Sequence, residues 1–472
     1  MSHKSLCEIL HEFESKNFKN RKKSCDNKSD YAVLLRLLVW KYHNDSVSSS
    51  CFFLVFINLF KLLYIFTHYF FLNKIYNLFI FPEKCDQDIF FYSPEVYYSE
   101  IIDGKKFSRI VDPLISIINN YYTYIKYSYV KKEDNYYRNK KISIKPSMKI
   151  LDLKYFLHSY YYVRKYASKF YINKFLLLIE LYILYIKVIS YKNLFTKLLL
   201  NSRHKFGVTA CYYGSEQMGM VWACKDLSIP TIDLQHGKQG PFQPLYSYMS
   251  FIPKGGFRLV PDYFWNWGNR SVLDIMFHRN EKHHHKPVDV GNLWIDFAFN
   301  HYSNEKPSFI SRFEKVILVT LQDHITCVSN VLPNYLVDQI NLNKDFLWVL
   351  VPHPNYPRSK LPIYKFIDDH ENCLNFRKYK SLSLYEVLHW VDFHITGYSS
   401  VVYESLYYGV PSGVWRKEGL QIYEKDIKAG LIFDISTTEL LTRFFQLPKV
   451  PYTKKHSYFS RPKISEIIQF FK

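Results

Sequence analysis

Glycine and proline are sparse, 15 and 20 in 472 residues, which excludes a collagen-like or glycine-rich low-complexity chain. The eight cysteines include no Cys-x-x-Cys pair. Neither a zinc framework nor a disulfide scaffold is implied, and the usage is that of a reduced, cytosolic protein. There is no Gly-x-x-x-x-Gly-Lys-Ser/Thr loop, no Gly-x-Ser-x-Gly elbow and no His-Glu-x-x-His pair. Their absence removes P-loop nucleotidases, α/β-hydrolases and zinc metalloproteases from consideration. Residues 1–30 are polar and charged and lack the apolar stretch of a secretory signal peptide. No helix-turn-helix, RNA-binding signature or zinc-finger spacing occurs, so nucleic acid is not an expected partner.

Aromatic residues are abundant instead, with 42 Tyr and 38 Phe. The formal net charge is +20. A field of that sign attracts nucleotides, phosphorylated glycans and anionic lipid. The segment Cys51–Leu72 has the length of a membrane span. Asn58, Lys61 and His68 fall on one helical face, which suits an amphipathic or buried helix better than a span. With the basic run at 16–28 nearby, residues 1–85 read as a helical extension on an anionic membrane surface. The expected location is cytoplasmic, peripheral on the inner face of the cytoplasmic membrane.

From Asp88 onward short apolar strands alternate with helices. Strands are expected at 88–92, 148–153, 206–213, 230–234, 262–267 and 287–290. A second series follows the polar stretch 300–307, at 316–321, 346–351, 392–396 and 411–415. Continuous apolar runs such as Phe346–Val351 (FLWVLV) are what a parallel sheet covered on both faces requires. Two such series imply two doubly wound halves. The expected divisions are 1–85, 86–302, 303–450 and a C-terminal segment 451–472 whose helix crosses back.

Three segments carry chemistry. In Thr396–Pro411 (TGYSSVVYESLYYGVP) a strand runs into a turn at Gly397, and Ser399 and Ser400 open a helix. Free backbone N–H groups and two hydroxyls there suit a phosphate, and Glu404 one turn on can bind ribose hydroxyls. Ordinary caps and a surface glutamate would read the same way. His353-Pro354 ends the strand FLWVLV, where an imidazole can hold a nucleotide phosphate. His236-Gly237 ends the strand Pro230–Leu234 in the first half, and an imidazole there suits a general base.

Together these segments resemble the GT-B glycosyltransferases of bacterial capsule and lipopolysaccharide assembly. His353-Pro354 followed by Ser399-Ser400 is similar to the HP and SS motifs of sialyl- and Kdo-transferases. The His236-Gly237 turn with the later Tyr-Ser-Ser helix resembles the CDP-glycerol glycerophosphotransferases. The resemblance covers about residues 200–415. It implies two Rossmann-like domains facing a cleft and a nucleotide-sugar donor, CMP-linked in the sialyl and Kdo cases. It also implies a glycan or lipid-linked glycan acceptor and Glu404 on the ribose; the lack of a metal motif points to metal-independent transfer, and a separate base to inversion. The acidic base motif of sialyltransferases is missing. Its nearest approximation is Asp103-Gly104, so the base stays open among His236, Asp103 and Glu216. Asp86-x-Asp88 precedes a strand instead of following one, and His283–His285 read as surface, so no metal or other cofactor is expected. A nucleotide-sugar 2-epimerase, a CDP-glycerol-type transferase and a non-catalytic basic protein binding membrane or nucleic acid remain as alternatives.

Overall fold

The computed structural model describes residues 3–18, 29–44, 87–94, 98, 100–128, 140–141, 153–200, 203–240, 243–247, 252–253, 255–278, 284–303, 305–321, 332–352, 362–376, 382–448 and 458–472. The chain forms two compact units. One comprises His3–Val290 and Lys463–Lys472, the other Gly291–Pro462.

In the first unit the strands are β1 (Ile89–Tyr92), β2 (Glu100–Ile102), β3 (Lys105–Phe107), β4 (Tyr124–Ser128), β5 (Lys140–Lys141), β6 (Phe206–Ala210), β7 (Thr231–Leu234), β8 (Tyr263–Asn266) and β9 (Lys286–Asp289). Apart from the antiparallel hairpin β2–β3, they form one parallel sheet in the order β5-β4-β1-β6-β7-β8-β9. The second unit has β10 (Lys315–Thr320), β11 (Phe346–Val351), β12 (Cys373–Asn375), β13 (Phe393–Thr396), β14 (Ser412–Val414) and β15 (Ile432–Asp434). They are parallel in the order β12-β11-β10-β13-β14-β15. Counted from its own first strand, each sheet runs 3-2-1-4-5-6, the doubly wound Rossmann order, and the first adds one strand at the far edge. The fold is therefore α/β with two Rossmann-like units in one chain, the GT-B-like class expected. The apolar runs follow from burial on both faces: Ile89–Tyr92 and Phe346–Leu350 are buried throughout.

Several expectations shift. The crossing between units falls at 290/291 instead of 302/303. The helix Leu293–His301 belongs to the second unit, where Trp294 meets Tyr385 edge-on at 5.0 Å and Phe299 meets Tyr407 at 5.6 Å. The final helix, Ile464–Phe470, lies in the first unit, with Phe470 and Phe471 against Phe206 and Trp265. Leu153 opens a helix instead of ending a strand, and 148–152 lie outside the described residues.

The described part of 1–85 is core, not an appended extension. The helices His3–Phe18 and Ser29–Asn44 bury Leu6, Leu10, Val33, Leu34 and Leu35 in one cluster with Tyr166, Leu177 and Trp222. Arg36 and Glu14 form a fully buried pair, Nε to Oε1 at 2.7 Å and Nη2 to Oε2 at 2.6 Å. The hydroxyl of Tyr166 donates to the same carboxylate at 2.7 Å. Asp30 is equally buried against Arg258, and burial raises its carboxyl to about 6. The segment Cys51–Leu72 lies outside the described residues, and among those no helix is long and apolar enough to cross a membrane.

Candidate functional site

In each sheet the strand order reverses between two central strands. Ligands of doubly wound sheets bind beyond the carboxyl ends of the strands at that point. In the second unit these strands are β10 and β13, with Thr320 opposite Thr396.

The turn leaving β13 is stitched by hydroxyls. Thr396 Oγ1 donates to Thr320 O at 2.7 Å and accepts from Ser399 N at 3.2 Å. Ser399 Oγ accepts from Val401 N at 3.3 Å, which leaves its proton to donate. Ser400 precedes the helix in helical conformation, and its side chain caps nothing. The expected helix from Ser399 is shorter, Val401–Tyr407. Tyr423 donates to the carbonyl of Ser399 at 2.8 Å, fixing the turn from beneath. Gly397 is covered by the stem of Arg416 at the end of β14: a Cβ on the glycine would sit 3.0 Å from Arg416 Cδ. A guanidinium therefore stands beside this turn. Glu404 is buried, not a surface residue, and accepts from Tyr385 OH at 3.0 Å. Tyr385 is delivered by the helix Leu384–Trp390, whose Ser383 cap accepts from Tyr385 N at 3.3 Å. His353 and Pro354 lie outside the described residues.

Sequence reasoning missed two features of this unit. His394 on β13 bridges Thr320 Oγ1 at 2.8 Å and Ser412 Oγ at 3.0 Å, and burial drives its imidazole down to about 3. It is a neutral brace across β10, β13 and β14. Gly419 is the second: a Cβ there would lie 2.1 Å from the carbonyl oxygen of Gly397. No motif marks either residue, because the contacts join strands and helices far apart in sequence.

In the first unit the central strands are β1 and β6. Beyond β6, Cys211 takes a left-handed φ of 60°, and Tyr212 N donates to Asp233 Oδ1 at 3.1 Å. Asp233, on β7, is fully buried and also accepts from Tyr246 OH at 2.7 Å. Burial raises its carboxyl to about 7. His236 follows β7, its Nε2 3.3 Å from Tyr213 OH and its ring 5.9 Å and 6.4 Å from those of Tyr213 and Tyr246. Burial, and secondly the charge of Arg109, lower the imidazole to about 4. Arg109, in the turn before the helix Asp112–Ile118, was not singled out by any motif. The His236 turn is braced from β8. Gln235 accepts from Trp267 N at 2.8 Å and donates to Gly237 O at 2.8 Å, while Asn266 donates to Gln239 at 2.7 Å. Gly237 borders open space, with nothing within 4 Å of an added Cβ.

The other two base candidates have structural occupations. Asp103 and Gly104, with φ of 51° and 71°, form the two-residue turn of the hairpin β2–β3, which demands such a pair; Asp103 is exposed at its tip. Glu216 opens the helix Ser215–Asp226 and accepts from both Tyr92 OH and Tyr191 OH, the latter at 3.0 Å. Asp88 accepts from Thr123 N at 3.1 Å and Oγ1 at 2.9 Å, joining the starts of β1 and β4; Asp86 is outside the described residues. His285 corrects the surface reading of the histidine run. It is buried, its Nε2 accepting from Phe257 N at 2.9 Å and its Nδ1 donating to Pro261 O at 2.6 Å. His283 lies outside the described residues.

No family model and no curated protein matches the chain. Solved structures resemble it at low similarity. The S. aureus MnaA–UDP structure has a TM-score of 0.49 and 12% identity over 80% of this chain and 94% of that one. The Methanocaldococcus jannaschii UDP-GlcNAc 2-epimerase with UDP-GlcNAc and UDP gives 0.47 and 11%, over 81% and 98%. The wall teichoic acid polymerase TagF gives 0.40 and 11%, over 88% and 92%. With scores below 0.5 and such identities, these likenesses assign neither substrate nor reaction. The fold stands on the two strand orders themselves.

Proposed function

We propose that the chain is a glycosyltransferase that moves a sugar from a nucleotide-activated donor to a surface-glycan acceptor. The observation that carries this reading is the segment at the switch point of the second unit. The turn after β13 carries Gly397 and the Ser399 hydroxyl with the Arg416 guanidinium beside them, and the helix it opens carries the buried Glu404. A cation beside a carboxylate that accepts from hydroxyls complements what a nucleotide presents, a phosphate and a ribose.

In this reading Ser399, Ser400, Arg416 and His353-Pro354 hold the donor phosphate, and Glu404 accepts from the ribose. His236 in the first unit is the base. Its neutral imidazole takes the acceptor hydroxyl proton as the acceptor oxygen bonds to the anomeric carbon. The anomeric C–O bond breaks with its electron pair leaving on the phosphate, beside Arg416. Burial and Arg109 both disfavour an imidazolium, so the proton is taken late, when bonding to the anomeric carbon has made the acceptor oxygen positive and its proton acidic. A base separate from the donor site implies inversion, and chain cations take the place of a metal at the phosphate. CMP-linked sugars are the first donor class to test.

The experiment is a calorimetric titration of CMP, CDP, UDP and GDP into wild type, Glu404→Ala and Tyr385→Phe. One nucleotide binds wild type and loses roughly 1.5–3 kcal/mol, about ten- to a hundredfold, in Glu404→Ala. Tyr385→Phe gives a smaller loss. Equal affinity in all three removes the nucleotide site from this segment. Incubating the matching nucleotide sugar without acceptor tests the reaction: an epimerised nucleotide sugar replaces transfer with isomerisation.

A further inference from the structure

The helices Leu153–Phe170 and Lys174–Leu199 of the first unit are joined by a short connection at Tyr171–Asn173. Asn173 caps the second helix, accepting from Phe175 N at 2.9 Å and Leu176 N at 3.2 Å, so the tip has a fixed geometry. Two features of the tip are costly for the fold alone. Tyr171 takes a left-handed φ of 55°, a conformation in which glycine or asparagine would be cheaper. Its ring is 93% exposed, and Phe175 beside it is 56% exposed. Neither ring contributes to the core, whereas the residues just behind them, Phe170 and Ile172, pack against it. Cations flank the aromatics. Lys169 and Lys174 are exposed, and the Lys174 ammonium lies 5.2 Å from the Phe175 ring centre.

We propose that this helical-hairpin tip is a docking point for an anionic lipid surface. The rings of Tyr171 and Phe175 enter the headgroup region, and Lys169 and Lys174 pair with lipid phosphates. Aromatic rings are enriched at this depth of a bilayer because one side of the ring is apolar while its surroundings stay wet. Lysines beside them gain from the negative surface potential. A flat protein partner would bury the rings but would not call for lysines on both sides. The chain's net charge of +20 brings the protein to such a surface without orienting it; the tip supplies the orientation.

The test is co-sedimentation of the full chain with vesicles of phosphatidylcholine alone or with a third phosphatidylglycerol, at low and high salt. Wild type binds the anionic vesicles, less so at high salt. Tyr171→Asn with Phe175→Gln loses most of the binding, and asparagine suits the left-handed backbone, so the thermal midpoint is kept or raised. Lys169→Gln with Lys174→Gln weakens binding to the anionic vesicles by about fivefold per lysine. Failure of wild type to bind anionic vesicles overturns the proposal. So does undiminished binding by both variant pairs, which would put attachment in diffuse charge elsewhere. The readout requires no nucleotide or turnover, so it stands or falls separately from the transferase reading.

Discussion

A Cβ added to Gly419 would lie 2.1 Å from the carbonyl oxygen of Gly397. The helix Lys417–Ile422 therefore rests directly on the backbone of the turn that leaves β13, and only glycine allows that approach. Gly419→Ala must push helix and turn apart. An overpacked contact of this kind costs about 1–3 kcal/mol, and here the displaced atoms belong to the proposed phosphate site. The variant is expected to stay folded by circular dichroism and to bind nucleotide at least tenfold more weakly. Wild-type affinity in Gly419→Ala would mean that the turn does not touch the ligand.

The three base candidates separate by substitution. His236→Ala is expected to reduce turnover by about two to four orders of magnitude while leaving nucleotide affinity intact. Asp103→Asn keeps the hairpin turn and should leave turnover unchanged, since the aspartate is accounted for by its left-handed φ. Glu216→Gln is expected to lower the thermal midpoint, through its two tyrosine partners, more than it lowers turnover. The pH profile adds a second reading. His236 lies near 4, so kcat/KM should stay flat from neutral pH down to about 5 and fall toward 4. A midpoint at the ordinary histidine value would contradict the buried, Arg109-facing environment.

Asp233 contributes a slope of its own. Its carboxyl titrates near 7 in the folded chain, against 3.8 ordinarily. The unfolded chain gives up this proton first, so the stability it contributes is complete below about 4 and is lost as pH rises through 7. Asp233→Asn does not titrate and retains an acceptor for Tyr212 N. The thermal midpoint of wild type relative to the variant should therefore fall between pH 4.5 and 8. A constant difference across that range would place an ionised carboxylate there throughout it.

Arg36 links the N-terminal helices to the loop after the His236 turn. Besides Glu14 it donates to Pro244 O at 2.9 Å and Ser247 Oγ at 3.3 Å, on either side of the Tyr246 that binds Asp233. Arg36→Met leaves Glu14 buried without its cation and should cost about 3–5 kcal/mol in denaturant unfolding. Arg36→Met with Glu14→Leu should recover much of that loss. If the single variant unfolds like wild type, the helix His3–Phe18 is not held by this pair.

The strands β1, β6 to β11, β13 and β14, the turn residues around Gly397 and the strand-end position of His236 were legible in the sequence, because apolar runs and strand–turn–helix punctuation are local signals; the short or polar strands β4, β5, β12 and β15 were not. The roles of the N-terminal helices were not. Their basic and apolar residues suggested a surface extension, yet Arg36 and Asp30 are buried beside partners that come from both near and distant sequence. In sequence Glu404 fits a ribose ligand and a surface residue equally; the bond from Tyr385, nineteen positions earlier, exists only in the fold.

Sequence alone determined that this protein carries two series of buried strands alternating with covering helices, since apolar runs and the punctuation between them are local. Tertiary structure alone decided which side chains meet beyond the strand ends. That depends on the 3-2-1-4-5-6 order, which places β10 beside β13 and β1 beside β6 across long stretches of chain. It also decided protonation: Asp233, His236 and His394 owe their states to burial and to Arg109, and burial is a property of the packed chain, not of any stretch of it.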